Sequence, residues 1–407
     1  MKIDKVKLKR QQGIIEKWKS NRAKGTLEAV TGFGKTFVAL LIIQDMNERR
    51  PDRSALVIVP TQALKKQWKG KIKEMKLINV TVEVVNTVIK KQWQTDLLVC
   101  DEVHNYAAKS YQNVFKCIRY KFILGLTATL ERADNRHVII NSRAPVIDKV
   151  DMKEALANGY VSDFRVFNLG LEMDEKDRKE YKRIGDLFHK YFAFFSHDFD
   201  TAMRCLSDAS FRKLYAERMG WEDRECFIFA LNFNRNMQAR KKFLYYANSK
   251  VEAAVKLIET FQVPTITFAQ STTFCDRIME EIPKISVTYH SEMKAKERRE
   301  SMAKFKDGRT KVRVIHTAMS LDEGFDVNGI EMALICSGTS SGRQDLQRTG
   351  RAIRYSEGKL GLIVNLYIKN TQDEKWLRSR QGKAENVVWV DSIDEIKNQV
   401  QQLKAAI

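Results

Sequence analysis

The 407 residues include 71 Lys plus Arg against 51 Asp plus Glu, a formal charge of +20. This length suggests two or three domains with cores of their own, and the cationic excess points to a polyanionic partner, nucleic acid first, with a merely solvated lysine surface as the equal alternative until motifs are considered. Six scattered cysteines without a Cys-x-x-Cys pair imply neither a zinc site nor a disulfide framework. With no apolar run near ~20 residues and no signal core, no segment is expected to span a membrane.

The chain is therefore expected to be soluble and cytoplasmic, its size and lack of targeting being compatible with a bacterial source or with a viral protein in the host cytoplasm.

The first strong element is Thr26 to Val30, a short strand, followed by Ala29-Val30-Thr31-Gly32-Phe33-Gly34-Lys35-Thr36 and then an apolar helical run from Phe37 to Ile42. Strand, loop and helix in that order make a phosphate-binding loop: amides from Thr31, Gly32, Phe33 and Gly34 can curl around a polyphosphate at a helix N-terminus. Lys35 would reach the terminal phosphates and the Thr36 hydroxyl would hold Mg2+. Ala29 stands where such loops usually begin with glycine.

Apolar strand-length runs then alternate with helical segments up to about Asp148, the signature of a parallel sheet covered on both faces. Ala55 to Val59 reads as a strand ending at Pro60, with Thr61 capping the next helix. Val80 to Val85, Asp96 to Cys100 and Lys121 to Leu126 are further strands. Residues beyond the carboxyl ends of such strands are candidates for a ligand site.

Leu97 to Cys100 leads into Asp101-Glu102-Val103-His104. Two carboxylates at a core edge repel each other unless a cation has work for them. Asp101 suits the metal, through water, and Glu102 suits orientation and deprotonation of an attacking water. The alternative is a strand end turning into solvent. His104 is either a relay or a structural histidine, and Thr127-Ala128-Thr129 is either a turn and cap or a coupling element at the same sheet edge.

From about Leu171 to Asn248 the alternation stops, and a charged, aromatic, glycine-poor stretch reads as helices. Phe188, Tyr191, Phe192 and Phe195 at helical spacing read as core packing before a base-stacking platform. Arg235, Arg240, Lys241 and Lys242 with Phe243, Tyr245 and Tyr246 form the better nucleic-acid candidate, against a solvated face.

A second sheet follows: Val263 to Ala269 with Ser271 as a cap, Ile285 to Tyr289, Val312 to Ile315 and Ile330 to Cys336. No second phosphate loop accompanies it. Gln347, Arg351 and Arg354 would share one helical face, and a guanidinium from Arg351 or Arg354 could stabilise charge on a phosphoryl group held by the first sheet. From Thr371 onward helices are expected to pack on the second sheet.

The ordered set resembles the superfamily 2 helicases. Thr31 to Thr36 resembles motif I, Val59 to Gln62 motif Ia, Asp101 to His104 motif II, Thr127 to Thr129 motif III, and Thr267 to Ser271 motif IV. Thr317 to Asp326 resembles motif V, with Gly324 and Asp326 at the nucleotide, and Gln347 to Arg354 motif VI. The Asp-Glu-Val-His box is most similar to the XPB-type and phage UvsW-type DNA helicases. Leu8 to Gln12 resembles their adenine-recognition element, with Gln12 as its glutamine and the usual Pro-Tyr pair absent.

The resemblance implies two RecA-like parallel-sheet domains in tandem with an inserted helical segment and a short C-terminal helical extension: residues 1–165, 166–248, 249–370 and 371–407. It implies a nucleic-acid-stimulated ATPase using ATP and Mg2+, moving from 3′ to 5′ on single-stranded, forked or branched DNA. Pro60, Thr61, Thr87, Ser271 and Thr317 would lie near the phosphodiester backbone, and His104, Thr127 and Thr129 would couple the two activities. RNA is the alternative partner, and an ATP-switched binding protein the alternative class. The chain starts almost at the motor, whereas those relatives carry an N-terminal DNA-reading domain, so the insertion is expected to take over that role.

Overall fold

A computed structural model describes residues 5–108, 111–130, 136–161, 163–318, 329–337, 360–381 and 387–405. Two parallel sheets in tandem organise these residues, the α/β class expected from the strand and helix alternation.

The first sheet has six strands: β1 (Lys24–Ala29), β2 (Ala55–Val59), β3 (Val80–Val84), β4 (Trp93–Asp101), β5 (Ile118–Thr127) and β6 (Val146–Val150). Its order is β3-β2-β4-β5-β1-β6, every pair parallel. All carboxyl ends therefore share one edge. The helices are α1 (Lys5–Ser20), α2 (Lys35–Arg49), α3 (Gln62–Glu74), α4 (Val85–Val88), α5 (His137–Asn141) and α6 (Met152–Ala157). Helix α1 buries Gln11, Ile14, Ile15 and Trp18, one stripe at i, i+3, i+4 and i+7. Thr61 caps α3 as expected, its hydroxyl accepting from the Leu64 amide at 3.3 Å.

The second sheet has seven strands in the order β13-β7-β12-β11-β8-β10-β9. They are β7 (Phe164–Leu171), β8 (Thr265–Ala269), β9 (Ser286–His290), β10 (Val314–Ala318), β11 (Met332–Ile335), β12 (Gly361–Ile368) and β13 (Val387–Val390), all parallel. Strands β6 and β12 are additional to those expected from the sequence, and two others depart from the expected domain bounds. Strand β7 spans the boundary placed at residue 165, yet it pairs along its whole length with β12. The C-terminal stretch likewise supplies edge strand β13 as well as helices.

Between β7 and β8 stand α7 (Glu175–Ala193), α8 (Phe199–Ser207), α9 (Ala209–Met219), α10 (Asp223–Tyr246) and α11 (Asn248–Phe261). Phe188, Tyr191, Phe192 and Phe195 pack around Phe233 in a separate apolar cluster, so the core reading of that stripe holds. Arg240 lies over the rings of Tyr181 and Phe188, at 5.7 and 4.5 Å, and Phe243 packs against a neighbouring cluster. Arg240 and Phe243, two members of the candidate nucleic-acid surface, thus take part in helix packing. The remaining helices are α12 (Thr272–Glu281), α13 (Ala295–Lys306), α14 (Gln372–Gln381) and α15 (Ile393–Ala405).

Candidate nucleotide site

The loop from Val30 to Gly34 leaves β1 at the carboxyl edge of the first sheet and enters α2, whose N-cap is Gly34. Gly32 and Gly34 have φ of 92° and 96°, left-handed values that disfavour a side chain. A Cβ on Gly34 would also stand 2.8 Å from Gln11 Nε2. Both glycines are thus required by the path of the backbone.

Two side chains of α1 fix the loop. Lys7 Nζ donates to the Gly32 carbonyl at 2.8 Å, and Gln11 Nε2 to the Phe33 carbonyl at 3.0 Å. Because C=O and N–H of a trans peptide point in opposite directions, the second bond turns the Gly34 amide away from α1. Phe33 is fully buried, its ring edge-on to Tyr160 at 5.5 Å. Thr31, Lys35 and Thr36 are half-buried beside these anchors.

Gln12, the glutamine expected at the nucleotide, is exposed. Helical phase is the reason: the buried stripe of α1 starts one residue earlier, at Gln11, which is only 3% exposed. The signal was available in the spacing of residues 11, 14, 15 and 18. Lys7, one turn before Gln11, shares that face, and sequence reasoning missed it.

Strand β4 delivers Asp101 to the same edge, where it pairs in register with Leu126 of β5 while Glu28 of β1 pairs with Thr127. Asp101 is buried: its Oδ2 accepts from Trp68 Nε1 at 2.8 Å and its Oδ1 from the Glu102 amide at 3.1 Å. Glu102 sits at φ 49°, a left-handed conformation at the end of the strand. Lys35 donates to the Ala29 carbonyl at 2.8 Å. Burial pushes the Lys35 ammonium below its usual range, against the attraction of Glu102 and Asp101. Burial likewise pushes the Asp101 carboxyl up, against the Trp68 hydrogen bond and the charge of Lys35.

His104, Thr127 and Thr129 meet in one chain of hydrogen bonds. The Thr127 hydroxyl donates to the Thr129 carbonyl at 2.9 Å, which leaves its oxygen to accept from His104 Nδ1–H at 3.0 Å. The same ring nitrogen lies 3.5 Å from Glu102 Oε2. The tip of β5 is thereby connected to the carboxylate that follows β4.

Pro60, Thr61 and Thr87 follow β2 and β3 at this edge, the first two half-buried and Thr87 exposed. Two other residues expected near the nucleic-acid backbone have buried side chains. Thr317 is 1% exposed inside β10 and its hydroxyl donates to the Thr267 carbonyl at 2.8 Å; Ser271 is 7% exposed and caps α12 by accepting from the Phe274 amide. Strand β10 is internal and buried along its whole length, and the cap engages Ser271. Gly324, Asp326, Gln347, Arg351 and Arg354 lie outside the described residues.

The described residues contain no group of three or more His, Cys, Asp or Glu that could hold a metal ion, and no helix long and apolar enough to cross a membrane. Mg2+ needs less, because it keeps several waters and takes substrate phosphate oxygens with one or two protein ligands. Asp101 and Thr36 fit that requirement: a buried carboxylate at the end of β4 and a hydroxyl in the first turn of α2 stand at the edge that holds the Lys35 ammonium, a donor set that suits a magnesium polyphosphate.

Comparison with known proteins agrees with this geometry. The model of the helicase conserved C-terminal domain matches residues 249–356, and that of the type III restriction enzyme res subunit matches residues 2–94 and 83–132. The DNA 3′-5′ translocase XPB2 of Sulfurisphaera tokodaii is 27% identical over 397 residues, covering 93% of this chain and 85% of that protein. The general transcription and DNA repair factor IIH helicase/translocase subunit XPB of Encephalitozoon cuniculi is 26% identical over 168 residues, 41% of this chain and 23% of that one. Among solved structures, the Pyrococcus furiosus Hef helicase domain superposes with a TM-score of 0.59 at 14% identity, covering 91% of this chain and 97% of that one. Dbp5 of S. cerevisiae, bound to RNA and ADP BeF3, gives 0.62 at 14% identity, covering 97% and 93%. The two sheets are RecA-like domains in tandem, and the two family matches together with the XPB2 similarity indicate an ATPase of the superfamily 2 helicase kind.

Proposed function

We propose that the chain is a DNA translocase of the XPB-like, Asp-Glu-Val-His branch that hydrolyses ATP with Mg2+ and moves 3′ to 5′, unwinding or branch-migrating DNA. The observation that carries this reading is the convergence of Lys35, Asp101 and Glu102 on the loop edge of the first sheet. The long match to a DNA 3′-5′ translocase supports the choice of substrate and polarity.

In this reading the amides of Thr31 to Gly34 and the Lys35 ammonium hold the β- and γ-phosphates, while Thr36 and Asp101 hold Mg2+, which supplies charge neutralisation at the leaving oxygen. Gln11 takes the place expected of Gln12. Glu102 orients a water and accepts its proton as the water oxygen bonds to the γ-phosphorus and the bond to the bridging oxygen breaks. Gly324 and Asp326 contribute to the nucleotide site, and Gln347, Arg351 and Arg354 to stabilisation of the transferred phosphoryl charge. Pro60, Thr61 and Thr87 on the first sheet, and the segments around Ser271 and Thr317 on the second, lie along the strand's phosphates without reading sequence.

The test compares ATP hydrolysis with matched single-stranded DNA and RNA, then scores displacement of a protein block from either end of the DNA. Stimulation by DNA and release from the 5′ end are expected. Equal or greater stimulation by RNA would reassign the substrate. Glu102→Gln should lower turnover by about 10²-fold or more, the lower end of general-base contributions. An unchanged rate would remove Glu102 from its role.

A further inference from the structure

Lys7 touches more than the nucleotide loop. Its ammonium donates to the Gly32 carbonyl at 2.8 Å and to the Tyr160 carbonyl at 2.6 Å, so one cation bridges the loop to the turn that follows α6. The contact is doubled by the Phe33 and Tyr160 rings, 5.5 Å apart at 70°. Tyr160 is itself held, with its amide donating to Ala155 of α6 at 2.8 Å and its side chain only 4% exposed.

This turn lies on the route to the second sheet. Phe164, four residues after Tyr160, begins β7, an internal strand of that sheet. Helix α6 belongs to both bodies: Met152 and Leu156 pack against the core of the first sheet and against the Phe164 cluster of the second. A shift of Gly32 or Phe33 therefore bears on Tyr160 through a hydrogen-bonded cation and a ring contact, and Tyr160 bears on the entry to β7.

We infer that Lys7 and Tyr160 are positioning residues that couple the nucleotide loop to the second sheet, so that nucleotide and nucleic acid bias each other's binding through this contact. The inference rests on the loop being the ATP site. Only four chain residues, spanning at most about 14 Å, separate Tyr160 from the start of β7. By linkage, any factor by which nucleotide changes nucleic-acid affinity must equal the reverse factor.

The experiment measures that factor directly. Affinity for a thymidine oligonucleotide is measured with and without a non-hydrolysable ATP analogue, and affinity for the analogue with and without the oligonucleotide. In the unmodified chain the two factors should agree, within the roughly 5- to 150-fold range of such couplings. Tyr160→Leu and, independently, Lys7→Met should bring the factor close to one, whereas Lys7→Arg, which keeps a cationic donor, should retain most of it. A merely structural role would weaken both ligands and leave their ratio unmoved, and that outcome in both variants overturns the inference. An unmodified chain that binds no analogue overturns the ATP-site reading itself, a result distinct from loss of coupling.

Discussion

Replacing Arg10 by Ala tests whether α1 must be clamped for the loop to work. The Arg10 guanidinium grips Asp148 with two hydrogen bonds, at 2.7 and 3.0 Å, and Glu154 with a third at 2.7 Å. Asp148 is nearly buried, with 8% side-chain exposure, and keeps Lys17 at 2.9 Å and the Lys149 amide at 2.9 Å when Arg10 is gone. Charge-assisted bonds to such a carboxylate contribute about 1.5–3 kcal/mol, and the more exposed Glu154 pair at most about 1. A loss of roughly 2–3 kcal/mol in unfolding free energy at neutral pH follows. Ile14, Ile15 and Trp18 remain to hold the helix on the sheet, so the fold should survive.

The pH dependence gives this prediction its sign. Burial alone would raise the Asp148 carboxyl, but the hydrogen bonds and charges of Arg10 and Lys17 outweigh it and hold it below the usual range. A depressed carboxylate contributes stability above its unfolded pKa and loses it as pH falls through the folded value. The gap between the unmodified and Ala chains should therefore be full at neutral pH and shrink once pH falls below about 4, the unfolded carboxylate value. Lys7 and Gln11 flank Arg10 on α1, so KM for ATP should rise while kcat changes little. Denaturant titrations at several pH values and steady-state hydrolysis read both effects. A gap that is constant with pH, or an unchanged KM, would refute the clamp.

Gly34→Ala should lose about 1–2 kcal/mol to left-handed strain, with a further loss in nucleotide affinity as the new methyl displaces Gln11; thermal unfolding and nucleotide titration measure the two. Gln11→Ala should weaken nucleotide binding, whereas Gln12→Ala, altering an exposed residue, should leave it within about twofold, since surface changes usually stay within ±0.5 kcal/mol. Lys250→Met strands the Asp373 carboxylate, whose Oδ2 lies 2.6 Å from Lys250 Nζ with both side chains under 5% exposed. Breaking a buried pair at one end costs about 3–5 kcal/mol. Adding Asp373→Asn should recover part of that loss in a denaturation experiment.

The nucleotide edge was legible because its signals are local. Each strand end is marked by a change from apolar to polar residues, as at Cys100 to Asp101 and Val59 to Thr61, and the caps at Thr61 and Ser271 depend only on the next turn. Strand β7 was not legible, because Arg165, Asn168 and Gly170 interrupt its apolar run. Its buried Asn168 is satisfied by distant partners, accepting from Asn365 at 2.9 Å and exchanging hydrogen bonds with Gln381 at 2.6 and 3.0 Å. Only the fold reveals those partners. The aromatic stripe of α7 had the opposite character, since helical spacing alone was enough to read it as core.

What the first sheet assembles at its carboxyl edge is unfavourable for the fold taken by itself. Glu102 is held at positive φ, and Asp101 and Lys35 are both buried against their charged forms. For Asp101 the sign is opposite to that of Asp148: a folded value raised above the unfolded one means a cost present at neutral pH that lessens as pH falls through the folded value. Such costs persist where surrounding structure over-determines the geometry, and here it does. Trp68 fixes one Asp101 oxygen, Thr127 holds His104 beside Glu102, and α1 holds the loop carbonyls. A magnesium polyphosphate would relieve the same costs, adding stability in proportion to RT ln(1 + [L]/Kd). The residues that carry these costs are thus those expected to discriminate most strongly between the nucleotide-free and nucleotide-bound states.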